Sequence, residues 1–218
     1  MVSKSAMMLA AAMLIPVGVG GGIAMTQAVP TAIAQAPQDT AALAPASGEY
    51  RIDPSHAQVR MTWNHLGLSN PGATFEDVQG VVRINQANPA ASSVSVTIPV
   101  RGLDSGVPAL DTEFQSDKFF DAARHPAITF VSNQVRTVGL GRRFQVAGDL
   151  TVRGVTRPVV LDAVLNGAGT HPMTGTQTAG FSATTRIKRS DFGLNVALPM
   201  VSDDVDVEIT LEVNVPKP

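Results

Sequence analysis

The chain has 218 residues, with 16 Lys and Arg against 18 Asp and Glu, a formal net charge of -2 and only 16% charged residues. That length suits one sizeable domain, and the charge balance excludes the basic excess that a nucleic-acid binder brings to phosphates. With no cysteine, disulfide scaffolds, thiol nucleophiles, Cys-ligated zinc and iron–sulfur clusters are excluded together.

In chain order the first expectation is a secretory leader over residues 1–34. Lys4 is the only charge before Asp39, an apolar run follows over 6–19, Gly20, Gly21 and Gly22 loosen it, and Ala32-Ile33-Ala34 offers a signal-peptidase site. The mature chain is then expected to begin at Gln35 and to be periplasmic. The competing reading is an uncleaved anchor over 6–25, for which Pro16 and three consecutive glycines are poor material. Residues 35–47 read as a flexible linker and 48–218 as one domain.

From Glu49 onward the dominant period is two. Ala57, Val59, Met61 and Trp63 alternate with polar residues, as do Val94, Val96, Ile98 and Val100. Phe144, Val146, Gly148, Leu150 and Val152 form a third such face, Phe181, Ala183, Thr185 and Ile187 a fourth, and Val205, Val207, Ile209, Leu211 and Val213 a fifth. Alternation of this kind belongs to antiparallel sheets with one wet face. The stretch 75–85 changes face near Gly80, which predicts a bulge there. The stretch 159–165 is apolar on both sides, which predicts an external cover. Residues 110–120 lack alternation and predict one short helix with Asp111 as N-cap. Arg153-Gly154 predicts a tight hairpin turn. About eight antiparallel strands leave a sandwich or a closed barrel, and periodicity does not choose between them.

Six blocks then carry a resemblance. They are Tyr50-Arg51-Ile52-Asp53-Pro54-Ser55-His56, Trp63-Asn64-His65-Leu66-Gly67, Phe119-Phe120-Asp121, Pro126-Ala127-Ile128-Thr129-Phe130, Gly148-Asp149-Leu150-Thr151-Val152-Arg153-Gly154-Val155-Thr156-Arg157-Pro158 and Arg189-Ser190-Asp191-Phe192-Gly193. In this order they resemble the YceI-like proteins. The resemblance implies an all-β, elongated, lipocalin-like antiparallel barrel of about eight strands, periplasmic, with an apolar tunnel for polyisoprenoid or other long-chain lipids. One stretch departs. Where the family commonly carries Arg-Asp-x-His-Leu, this chain has Leu110-Asp111-Thr112-Glu113-Phe114, which disfavours an anionic diphosphate head group and favours a neutral one such as a quinone, an alcohol or an amide.

The candidate tunnel lining is Val59, Met61, Trp63, Phe75, Phe114, Phe119, Phe130, Phe144, Phe181, Ala183, Ile187 and Phe192, each of which also reads as ordinary core packing. His65, Asp111 and Arg189 are the head-group candidates. His65 continues the odd-numbered face, so a regular strand aims it inward at the strand end; a structural histidine bonded to a loop carbonyl is the competing reading. Arg189 and Asp191 equally read as a loop-locking ion pair. Asp53, Ser55 and His56 look like a triad by type, but neighbours on extended backbone diverge. His56, His65, His125 and His171 do not have metal-site spacing, and an acidic cluster at Asp203, Asp204, Asp206 and Glu208 reads as a solvated strand face. No nucleophile elbow or phosphate-cradling loop is present. The function expected is therefore a non-enzymatic carrier or sequestering protein, with no catalytic residue, metal or cofactor and with a long-chain lipid or prenyl quinone as ligand. The mature chain is expected to make no stable membrane insertion, and a homodimer is allowed. The alternative is a solid-cored structural or stress-response partner protein without a lipid.

Overall fold

The computed structural model describes residues 44–139 and 141–216. The leader, its cleavage site and most of the expected linker lie outside the described residues.

Ten strands follow in chain order: β1 (Gly48–His65), β2 (Gly72–Phe75), β3 (Gln79–Ile84), β4 (Ser93–Pro99), β5 (Leu103–Asp104), β6 (Ala127–Val138), β7 (Arg143–Val152), β8 (Val155–Thr170), β9 (Gln177–Lys188) and β10 (Val201–Asn214). Among the described residues one α-helix, α1 (Pro108–Gln115), lies between β5 and β6. Eight strands are antiparallel neighbours in the order β1-β3-β4-β6-β7-β8-β9-β10, and β10 returns to pair with β1 from Arg51↔Asn214 to His65↔Val201. The sheet is thus a closed barrel, which settles the sandwich-or-barrel question and removes the main edges. β2 and β5 are the two additional strands: β2 pairs with the second half of β1, and β5 with β2.

The alternating faces resolve as the period of two requires. Val213, Tyr50, Val100 and Phe192 are at most 2% exposed, and Val205, Val207, Ile209 and Leu211 turn to the interior while Asp206 and Glu208 face water. The Arg153-Gly154 turn forms as expected, with φ of 50° and 75° between paired Val152 and Val155. Gly154 has a further reason. A Cβ at Gly154 would lie 2.7 Å from the His125 ring. The Arg153 guanidinium donates to Asp117 O at 2.6 Å, tying the hairpin to the segment that follows α1.

Three local expectations are corrected. No register shift occurs at Gly80, because the break in 75–85 falls between β2 and β3, where Asp77 has φ 57°. Gly80 instead allows close approach: a Cβ there would lie 2.3 Å from Ser95 O. Asp111 is not an N-cap; α1 starts one turn earlier at Val107 with Pro108 as its first residue, a position where the missing N–H is harmless. β8 has no complete outer cover, since Val160 is 48% exposed.

Candidate functional site

Because side chains alternate, a closed eight-strand barrel either fills its interior or encloses a cavity. This one encloses a cavity of about 940 Å³, near the upper end of ordinary ligand sites, roughly 300–1,000 Å³. Its wall draws aliphatic residues from every barrel strand: Val59 and Met61 from β1, Val82 from β3, Val94 and Ile98 from β4, Ile128 from β6, Val146 and Leu150 from β7, Leu161 and Leu165 from β8, Ile187 from β9, Val207 and Ile209 from β10. The wall reaches water at both ends. Exposed Gln86 and Thr137 belong to it at the Gly48 end, with Asn85 and Ser92 beside them, and exposed His65, Ser69, Glu113 and Ala197 at the opposite end.

All twelve expected lining residues stand in this wall: Val59, Met61, Trp63, Phe75, Phe114, Phe119, Phe130, Phe144, Phe181, Ala183, Ile187 and Phe192. Five of the aromatics, counting Phe120, form a connected cluster at the His65 end. Phe114 of α1 meets Trp63 edge-on with centroids 5.6 Å apart and Phe119 at 5.1 Å, while Phe75 meets Phe120 at 5.7 Å. The helix is therefore part of the wall, contributing Leu110, Glu113 and Phe114. Phe130 has a berth of its own: its ring covers Gly148, where a Cβ would come within 2.6 Å of Cζ.

The three head-group candidates separate. His65 is in the wall and exposed, at the end of β1; its backbone N–H donates to Ser69 O at 2.9 Å, and its imidazole bonds no loop carbonyl among the described residues. Asp111 is not in the wall. Its Oδ1 accepts from Ser105 N–H at 2.8 Å and Ser105 Oγ at 2.6 Å, which holds the loop before α1. Arg189 is in the wall but 8% exposed and committed: Nε donates to Ser202 O, Nη1 to Leu194 O and Val196 O, and Nη2 to Val201 O, all at 2.6–2.9 Å. Burial pulls its pKa below the usual arginine value, with Asp203 opposing. The expected Arg189–Asp191 ion pair does not form among the described residues. The loop is locked instead by these carbonyls and by Ser190, whose N–H and Oγ both donate to Asp203.

The remaining polar candidates sit outside the cavity. Asp53 and His56 converge after all, Nδ1 to Oδ2 at 3.0 Å, because four residues of β1 bulge between the Ile52 and Ala57 pairings. The hydrogen bond and charge of Asp53 raise the His56 pKa, and His56 in turn lowers that of Asp53. Ser55 donates its backbone N–H to Asp53 Oδ1. In the acidic cluster, Asp206 pairs with Arg186 and Asp204 with Lys188 across β9 and β10.

Sequence reasoning passed over the aliphatic majority of the wall, although the same alternation marks it. It also missed Glu113 and the polar rim at Asn85, Gln86, Ser92 and Thr137, for which period two carries no signal.

Residues 50–213 match the family model described as YceI-like domain. Protein YceI of Escherichia coli O157:H7 is 38% identical over 168 residues, which is 76% of this chain and 86% of that protein. Among solved structures, BcnA of Burkholderia cenocepacia superposes with a TM-score of 0.67 at 24% identity, covering 74% of this chain and 98% of that one. A polyisoprenoid binding domain from Saccharophagus degradans superposes with a TM-score of 0.58 at 16% identity, covering 77% and 98%.

Proposed function

The chain belongs to the YceI-like family, and from that premise we propose that it is a non-enzymatic periplasmic carrier or sequestering protein for a long-chain isoprenoid or similar amphiphile. The observation that carries this reading is the apolar cavity of about 940 Å³ whose wall runs from one end of the barrel to the other. Left empty, such a space is costly. A dry void forfeits the dispersion contacts that its lining would otherwise make. Water filling it would meet few polar partners. A hydrocarbon tail gains about 0.8 kcal/mol per buried methylene and needs no fixed polar contact, so binding is tight and loosely selective.

The mouth chemistry supports a neutral head group, a quinone, alcohol or amide. Four of the five N–H groups of Arg189 are engaged by carbonyls, Glu113 would repel a diphosphate, and exposed His65, with Ser69 beside it, is available to bond a head. The open interior favours this reading over the solid-cored alternative. Organic extraction of protein purified from its native host, followed by mass spectrometry, tests the proposal. Stoichiometric long-chain lipid is the expected result; protein that is lipid-free and takes up none when offered would overturn it.

A further inference from the structure

Two loops meet at the His65 mouth: residues 66–71 between β1 and β2, and residues 193–200 leading into β10. Leu66 N–H donates to Met200 O at 2.9 Å and Asn64 N–H to Ser202 Oγ at 2.9 Å, so the loops form one platform. Its tips are apolar and in water, Leu66 being 52% exposed, Leu68 82% and Met200 60%. Wall residues His65, Ser69, Ala197 and Val201 alternate with these tips, so the patch is continuous with the cavity. Residues 61–75 and 192–202 include no Asp, Glu, Lys or Arg, in a chain of which 16% is charged.

Leu66 is unfavourable on two counts. With φ of 58°, followed by Gly67 at 72° and a 2.9 Å bond from Leu68 N–H to His65 O, it is the first central residue of a β-turn with positive φ at both central positions, the kind that selects Asn-Gly. A leucine resists the left-handed region, and here it also leaves its side chain in water. Folding alone would place Asn at this position. A strained, solvated apolar residue at the lip of a cavity points to work done at that lip.

Resting on the lipid-carrier reading, we propose that this platform seats on a zwitterionic lipid bilayer, so that ligand passes between bilayer and cavity through the His65 mouth. Every methylene exposed on a route through water raises the barrier, and a mouth pressed to the bilayer removes that exposure. Because the platform carries no cations, attachment is by apolar insertion and not by attraction to anionic head groups. At the Gly48 end the cavity rim is polar, with Asn85, Gln86 and Thr137.

The test uses the mature chain, delipidated, with phosphatidylcholine vesicles containing a dansyl-labelled long-chain prenol. Energy transfer from Trp63, the only tryptophan, reads loading, and vesicle flotation reads docking. In the variant Leu66→Asn, Leu68→Ser, Met200→Ser, asparagine suits the turn, so the fold is expected to melt no lower than the parent. The variant should bind prenol added from ethanol as the parent does, yet load from vesicles about tenfold more slowly, equivalent to about 1.4 kcal/mol. It should also float poorly, and parent flotation should withstand high salt. Equal loading by parent and variant, flotation abolished by salt, or parent loading that requires a second protein would each overturn the proposal. If the parent binds no prenol from ethanol, the carrier reading fails, and flotation decides docking separately: parent alone floating sustains it, neither floating overturns it.

Discussion

Arg189 and His65 are both basic and both reach the same cavity mouth, and their surroundings give them opposite duties. Arg189 gathers four carbonyls from residues 194–202, and removing its fork leaves several buried acceptors unpaired. At about 1–3 kcal/mol for an unmet buried group, Arg189→Met should cost about 3–5 kcal/mol in chemical denaturation. Arg189→Lys should recover little of it, because an ammonium cannot reproduce the planar fork. His65→Ala should leave stability nearly unchanged and weaken lipid binding tenfold at most, since one hydrogen bond nets about 0.5–1.5 kcal/mol. Titration with a prenyl quinone and a matched hydrocarbon checks this: the histidine effect belongs to the quinone alone. The Asp53–His56 pair gives a pH signature. A raised His56 pKa contributes stability that is whole below the ordinary value of 6.5 and is lost as pH climbs through the raised one. The lowered Asp53 pKa contributes stability that is present above 3.8 and lost as pH falls through its lowered value. An NMR titration should show His56 midpoint above 6.5 in the parent and returned toward it by Asp53→Asn.

On the scale of single strands, parity has consequences that a residue list does not. Ala183 of β9 faces the cavity, whereas Ser182 faces outward and accepts a 2.9 Å hydrogen bond from Asn166. Ala183→Phe should fill part of the tunnel and lower the capacity for long tails, as read by extracted-lipid chain length; Ser182→Phe should change it little. This alternation was legible in the sequence because a strand offers only two faces, and the lining expected from it stands in the wall. The Arg153-Gly154 turn was legible for a like reason, since few residues tolerate positive φ. The α1 boundary was not. Pro108 starts the helix without a side-chain cap, so Asp111 looked like a terminus and is instead the anchor for Ser105. Gly148 and Gly80 were illegible in another sense: what demands a glycine there is Phe130 or Ser95, each far away in sequence, and a single chain read in order cannot show who presses against it.

For the molecule as a whole, the 14 residues of β10 extend about 47 Å along the strand, or about 35 Å along the axis at a tilt near 40°. The Gly48 end and the His65 end are separated by that length of apolar wall. Trp63, within the aromatic cluster at the His65 end, therefore borders any ligand that passes that mouth. Saturable quenching of its emission by a prenyl quinone is expected, with a blue shift and little quenching from a long-chain alcohol. Unperturbed emission in lipid-free protein offered either ligand would count against a hollow barrel in solution. The choice of barrel over sandwich was beyond the reach of periodicity, because faces are local and closure is not.

That closure rests on β1 meeting β10, the first and last strands of the domain. The contacts that finish the barrel are the most distant in sequence, which places folding among the slow, non-local topologies, on the order of milliseconds to seconds. A chain emerging from the ribosome at roughly 5–20 residues per second cannot close before Val201–Asn214 has been made. Until then β1 and β9 each wait with an open edge, and the apolar faces that will line the interior are turned to whatever lies nearby. A barrel with an apolar interior therefore leaves its own nascent chain sticky for most of its synthesis, and the fourteen residues of β10 decide when that exposure ends.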